Sequence, residues 1–342
     1  PTPIDRFKKP DLHPLKTATE LVGEVINKND VVIFESTVFP GCTEEECVPI
    51  LEKISGLKLN KGFYCGYSPE RVNPGDKVNT LTKIIKVTSG SNEKASSFID
   101  KLYKSIIVAG THKAQSIKVA EASKAIENAQ RDLNISFVNE LSIMFDKMGI
   151  DTNDVIDAAS SKWNFLNFEP GLVGGHCIGV DPYYLTYKAE SMGYLPEVVL
   201  SGRKINDGMA KWIVDQLLLE MFKKDISIKS SNILILGFTF KENCPDTRNT
   251  KVLEIVKILG NHNVEVDVVD PWVNKSLIKE NYDLEVLDRV IKDKKYSVVI
   301  SAVAHKQFLE MSLADWSTLI KDNGIFFDLK GLIPRDLNPL RL

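Results

Sequence analysis

The sequence has no long apolar run, no excess of basic charge, no cysteine framework and no glycine-rich nucleotide turn near its start. Each absence excludes something. Without about 20 consecutive apolar residues no segment reads as a membrane-spanning helix, and there is no signal-peptide pattern. Lys and Arg number 43 against 46 Asp and Glu, a net charge of -3, so nucleic acid is not expected as a partner and any anion must be met by local cations. Cys42, Cys47, Cys65, Cys177 and Cys244 are odd in number and scattered. They form neither metal-ligand pairs nor a disulfide scaffold, so no metal site is expected and a reducing cytoplasm is. Cys42 and Cys47, at the start of an expected helix, read as surface residues. No G-x-G-x-x-G follows an early strand, and the chain opens on Pro1-Thr2-Pro3, which reads as the continuation of a longer protein.

What is present is an α/β rhythm. The 342 residues are enough for two or three domains, and 43% hydrophobic with 26% charged residues is a globular composition. An amphipathic helix over 15–26 leads to an apolar strand over 31–34, a helix over 44–54, a strand at 63–65, another at 84–88, a helix over 93–104 and a strand at 106–108. Ligands of doubly wound sheets meet the carboxyl ends of strands, which makes Ser36 and Thr37 on one tip, and Glu70 and Arg71 on the next, candidate contacts. Taken singly they are ordinary caps and loop charges.

From 113 to 148 there is no Pro or Gly, and Leu133, Phe137, Leu141, Met144 and Met148 recur at helical spacing. One long helix follows, of the kind that joins domains or pairs with its copy. Lys124 and Asn128 share a face of it, where a solvated lysine beside a polar neighbour is the ordinary account. Further helices are expected over 184–191 and 198–223, the latter carrying Arg203 near its start. A second α/β unit opens with the strand at 233–237 and continues with strands at 264–270, 296–300 and 325–328. Its first tip, Gly237 to Arg248, is long and polar. Lys241 and Arg248 on it are candidates for a diphosphate clamp, with a solvated loop as the plain alternative.

The stretch from Pro170 to Pro182 sets Cys177 among glycines that let a ligand approach the backbone, with Asp181 four residues on. Alone, such a cysteine would fill a small gap. It is not alone. Gly174-Gly175-His176-Cys177 with Asp181, Lys124 with Asn128, Phe240-Lys241 with Arg248, and Ser36-Thr37 after a strand stand in one order along nearly the whole chain. Together they resemble the UDP-glucose/GDP-mannose dehydrogenase family. Tyr67 to Gly75 and Gly174 to Tyr184 are similar to the branch acting on UDP-N-acetylhexosamines in bacterial surface polysaccharide synthesis. The UDP-glucose branch has Lys where this chain has Val180 and Glu where it has Pro74, departures that weaken that assignment.

The resemblance implies two Rossmann-like doubly wound domains, the first truncated at its N-terminus, joined by a central helical domain with one long helix. The boundaries are 1–112, 113–222 and 223–342. Pro1-Thr2-Pro3 would end a strand of an NAD-binding domain whose glycine-rich turn lies upstream, and NAD binding would then be weakened. It further implies four-electron oxidation of the sugar C6 hydroxyl to a uronic acid, with NAD as cofactor. Cys177 would attack the aldehyde as a thiolate. Lys124 would stabilise oxyanions, Asn128 would hydrogen-bond the same oxygen or a water, Asp181 would handle the hydrolytic water, and Glu70 would join the water network. Thr2, Ser36, Thr37 and Arg248 are the implied cofactor contacts. Gly174, Gly175, Arg203, Phe240 and Lys241 are the implied substrate contacts. A homodimer through residues 113–148 is expected, with no membrane partner. The alternatives are a non-catalytic remnant that binds a nucleotide sugar or pairs with itself, and a UDP-glucose or GDP-mannose dehydrogenase.

Overall fold

The apolar stretches expected to be strands build two separate sheets in the computed structural model, which describes residues 2–72, 76 and 78–342. Asn73, Pro74 and Gly75 of the Tyr67 to Gly75 motif lie outside the described residues, as do Pro1 and Lys77. The chain divides into two compact units, Pro1–Arg131 with Val180–Leu200, and Asp132–Gly179 with Ser201–Leu342.

In the first unit, α1 (His13–Val25) leads to β1 (Val31–Phe34), then a π-helical turn, Thr43–Cys47, runs into α2 (Val48–Ser55). β2 (Tyr64–Tyr67), β3 (Lys86–Gly90), α3 (Glu93–Lys104) and β4 (Thr111–Lys113) follow. The strands lie in the order β1-β2-β3-β4. β1 pairs parallel with β2 and β3 with β4, but β2 and β3 are antiparallel. A parallel pair needs a long crossover, usually a helix, and the described part of the β2–β3 connection carries only a short 3-10 turn, Leu81–Lys83. The sheet is therefore mixed. Its core is Leu51, Phe63, Cys65, Tyr67, Ile117 and Tyr184, all fully buried or nearly so.

Two expectations fail in this unit. Residues 106–108 form no strand, because the amides of Ile106 and Ile107 bond back to the Tyr103 carbonyl to finish α3, and the neighbouring strand forms at Thr111 instead. Cys42 and Cys47 are buried rather than on the surface. The π-helical turn swings both inward and leaves Glu44 and Glu45 exposed.

The long helix α4 (Ile117–Met148) has 32 residues, about 48 Å at 1.5 Å per residue. It buries polar groups beside Ile117, Ala120, Ala125, Ala129 and Val138. Glu121, Lys124, Asp132, Ser136, Asn139 and Ser142 are buried, whereas Val119, Ile126, Phe137, Met144 and Met148 are exposed. A polar stripe is stable inside where its groups are paired: Glu121 accepts from the Gly41 and Thr43 amides, Asp132 pairs with Arg203, and Asn139 bonds to Gly171 and Asn206.

After α5 (Thr152–Ser160), α6 (Asp181–Ser191) and α7 (Glu197–Lys223), the second unit's sheet begins. Its elements are β5 (Asn232–Leu236), α8 (Val252–Asn261), β6 (Glu265–Val269), α9 (Lys275–Tyr282), β7 (Val286–Leu287), β8 (Tyr296–Ser301), α10 (Lys306–Leu309), α11 (Leu313–Leu319), β9 (Ile320–Asp328) and β10 (Leu340–Arg341). The order β10-β9-β8-β5-β6-β7 is parallel throughout. Ile233 and Ile235 of β5 pack into one apolar layer, with Met209, Ile213 and Leu217 of α7. Leu234 and Leu236 pack into the other, with Trp316 and Phe326. Both faces are covered, as continuous apolar strands require. The order reverses between β5 and β8, so the loops leaving these two strands flank the crevice where doubly wound sheets take their ligands.

Candidate active site

The first unit gathers three of the expected groups. Asp181 is the first residue of α6 and only 2% exposed. Asn128 donates its side-chain amide to Asp181 Oδ2 at 2.5 Å. Lys124, one helical turn before Asn128 on α4, is buried at 8% exposure, and its charge favours the ionised form of Asp181. Burial opposes this and wins: the Asp181 carboxyl is pushed up to about 6, with the Asn128 bond and the Lys124 charge restraining the rise. A carboxyl in that range exchanges a proton near neutral pH, which suits a general base. Lys124 is not the solvated lysine that its helix position alone suggested.

The same unit joins two expected cofactor contacts. Thr2 Oγ1 donates to the Thr37 carbonyl at 2.5 Å, and the Tyr184 hydroxyl, from the helix that Asp181 begins, donates to the Thr2 carbonyl. Ser36 and Thr37 follow β1 and are half-buried. Glu70 is exposed, and its carboxylate accepts from the Val72 amide at 2.6 Å, in a different hydrogen-bond set from Asp181. Arg71 ion-pairs with Glu127 at 2.7 Å.

The second unit fixes the cysteine stretch to the loop after β5. The Gly175 amide donates to the Arg248 carbonyl at 3.1 Å, and Asn249 Nδ2 donates to the Gly175 carbonyl at 3.1 Å. Gly175 has φ +83°, and a Cβ there would stand 2.9 Å from the Phe240 ring, so the ring lies directly on the glycine backbone. Gly174 is as tight, its place for a Cβ being 2.8 Å from the Asn249 carbonyl. Cys177 is half-buried. His176 Nδ1 lies 3.8 Å from Asp246, whose carboxylate holds Arg248 in a two-point pair at 2.5–3.1 Å. Lys241 is half-buried on the same loop.

Arg203, one of the implied substrate contacts, lies inside the second unit. It is buried at 2% exposure, pairing with Asp132 and Asp207, each at 2.5 Å. Asn206 donates to Asp132 at 2.7 Å and accepts from Asn139 at 2.8 Å. Asn139 holds Gly171 in both directions, accepting from its amide at 2.7 Å and donating to its carbonyl at 3.0 Å. Since the Arg203 guanidinium also lies beside Gly179, the buried network grips the cysteine stretch near both ends.

Sequence reasoning missed Asn139, Glu121 and His305. Glu121, fully buried, accepts from the amides of Gly41 at 2.5 Å and Thr43 at 2.9 Å, and so caps the π-helical turn. The absence of apolar residues at 121, 124, 128 and 132, one to a turn of a helix, was the available signal.

The second unit is a parallel Rossmann-like sheet with a long polar loop at its reversal point, the architecture that takes nucleotides in other doubly wound proteins, and the first unit carries a buried carboxylate bonded by an amide. The chain belongs to the UDP-glucose/GDP-mannose dehydrogenase family, whose NAD binding domain matches residues 1–107, central domain residues 118–208 and UDP binding domain residues 234–335. It is 54% identical over 342 residues to the UDP-N-acetyl-D-glucosamine 6-dehydrogenase of Salmonella typhi, covering 100% of this chain and 80% of that one. The enzyme of the same name from Pseudomonas aeruginosa is also 54% identical, with 100% and 81% covered. Among solved structures, a UDP-D-ManNAc dehydrogenase from Pyrococcus horikoshii superposes with a TM-score of 0.87 at 29% identity, covering 97% of this chain and 76% of that one.

The protein is thus an NAD-dependent dehydrogenase. The match to the NAD binding domain runs from residue 1, and the chain spans 80% of the length of the Salmonella typhi relative. Thr2 and Thr37 bring uncharged hydroxyl and carbonyl groups together after β1. No helix of the described residues is long and apolar enough to cross a membrane.

Proposed function

We propose that the protein oxidises the C6 hydroxyl of a UDP-N-acetylhexosamine to the carboxylate, through a covalent intermediate on Cys177. NAD, when bound, takes up the hydride of each of the two oxidations. The first gives an aldehyde, which is a poor second hydride donor. Attack by the Cys177 thiolate on the carbonyl carbon gives a thiohemiacetal, which donates readily, and loss of its hydride leaves a thioester. Water cleaves the thioester, returning the thiol and releasing the acid.

Lys124 stabilises the oxyanions of these steps, Asn128 holds Asp181, and Asp181 takes the proton of the attacking water. Phe240 and Lys241 meet the base and diphosphate of the nucleotide, with Gly174 and Gly175 allowing close approach. Thr2, Ser36 and Thr37 lie toward the nicotinamide, and Arg248 serves the cofactor side. Glu70 belongs to the water network. Exposed Val119, Ile126, Phe137, Met144 and Met148 on α4 support a homodimer through this helix. The proposed setting is the cytoplasm, in the synthesis of surface polysaccharide precursors.

The observation that carries this reading is the fastening of Gly175, two residues before Cys177, onto the Phe240–Arg248 loop of the UDP binding domain. The test is NADH formed per sugar with UDP-N-acetylglucosamine and with its C4 epimer. Two per sugar are expected, and Cys177→Ser should form no acid while leaving UDP binding intact. Undiminished acid formation by Cys177→Ser sinks the proposal.

A further inference from the structure

The reversal point of the second sheet holds a fully buried imidazole that this chemistry leaves unused. His305 follows β8. Its Nε2 lies 3.0 Å from Asp270 Oδ2 and 3.2 Å from Thr239 Oγ1, while Nδ1 accepts from the Asn243 amide at 3.0 Å. A nitrogen that accepts carries no proton. The ring is therefore the neutral tautomer with its proton on Nε2, given to Asp270. Trp272 stacks on the ring at 6.3 Å between centroids and Phe308 meets it edge-on at 5.7 Å, and the residue is fully buried.

Asp270, Thr239 and Asn243 hold the same loop. Asp270 Oδ2 accepts from the amides of Phe238 at 2.7 Å and Thr239 at 3.0 Å, and Oδ1 accepts from Trp272 at 2.8 Å. Thr239 Oγ1 donates to the Lys241 carbonyl at 2.9 Å, and Asn243 Oδ1 accepts from the Lys306 amide at 3.0 Å. Phe238, Thr239, Lys241 and Asn243 are thus pinned around one ring. The far arm of the loop carries the Arg248 carbonyl and Asn249, which hold Gly175. Gly237, at φ +97° with Val303 2.4 Å from where a Cβ would stand, starts the turn that brings the loop over β8.

We infer that His305 is a positioning residue, whose neutral Nε2-protonated ring holds the 238–243 segment in the shape that presents Phe240 and Lys241 to the nucleotide. The inference rests on the proposed use of this loop for a nucleotide sugar. An alanine removes both the acceptor for Asn243 and the donor for Asp270, and the freed loop must be ordered again on each binding event. Glutamine restores one acceptor and one donor.

Calorimetry with UDP on the whole protein, beside the nitrogen NMR spectrum of its histidines, tests this. His305→Ala should weaken UDP about tenfold, or about 1.4 kcal/mol, and His305→Gln should stay within about threefold of the parent. The spectrum, assigned by the signal lost in His305→Gln, should show an unprotonated Nδ1 and a protonated Nε2. Equal UDP affinity in His305→Ala overturns the inference and leaves the nucleotide-sugar reading standing. No UDP binding by the parent protein overturns both. If His305→Ala does not fold, the spectrum decides, since a protonated Nδ1 cannot accept from Asn243 and removes the basis of the argument.

Discussion

Asn128 donates to Asp181 across 2.5 Å, and this bond opposes the burial that pushes the carboxyl up to about 6. The proposed base works when ionised, so acid formation should fall as pH drops through about 6. Asn128→Ala removes a bond to the charged form, raises the Asp181 pKa further and should move the acidic limb of kcat upward by about one pH unit. The profile of kcat against pH checks it, and an unmoved limb counts against Asp181 as the titrating group.

Asp181 also bears on stability. Its folded value, about 6, exceeds its ordinary value of 3.8, so the folded state binds this proton more tightly than the unfolded chain. The interaction costs nothing below about pH 3.8, and the cost grows as pH rises toward 6 and is complete above it. Asp181→Asn should therefore raise stability by about 1–3 kcal/mol at pH 8, bring no gain at about pH 3, and abolish thioester hydrolysis. Denaturant midpoints at the two pH values measure this.

Gly175→Ala tests the close approach of Phe240. The new methyl would need a left-handed backbone at φ +83° and would stand 2.9 Å from the ring. A loss of about 1–3 kcal/mol in unfolding free energy is expected, with a larger proportional loss in UDP affinity because the ring itself must move.

Glu121→Gln probes a buried cap. Two carboxylate oxygens accept two amides, from Gly41 and Thr43, and glutamine offers one oxygen. One amide is left without its partner, at a cost of about 1–3 kcal/mol by urea denaturation. A change below about 0.3 kcal/mol would mean that the turn finds another acceptor.

Much of this was legible in the sequence. The strands at 31–34, 233–237 and 296–300 stand out because buried parallel strands are continuous apolar runs, and the glycine–cysteine stretch stands out because paired glycines let a ligand approach the backbone beside a thiol. The direction of β3 was not legible, since nothing in Lys86–Gly90 says which way its neighbour runs. Lys124 was read as solvated because a helix period gives neighbours along one face without saying what covers it. His305 and Asp270 are 35 residues apart, and only the reversal of strand order brings the tips of β6 and β8 around the loop that leaves β5.

The burial of four cysteines beside a half-exposed Cys177 gives the protein a clock of its own. A thiol reagent added to the native protein meets one sulfur first. Cys42, Cys47 and Cys65 belong to the core of the first unit and answer only when it opens, so the later phase of labelling times that opening. Burial pushes the Cys65 thiol up to about 12, which keeps its thiolate scarce and its signal silent until that opening occurs.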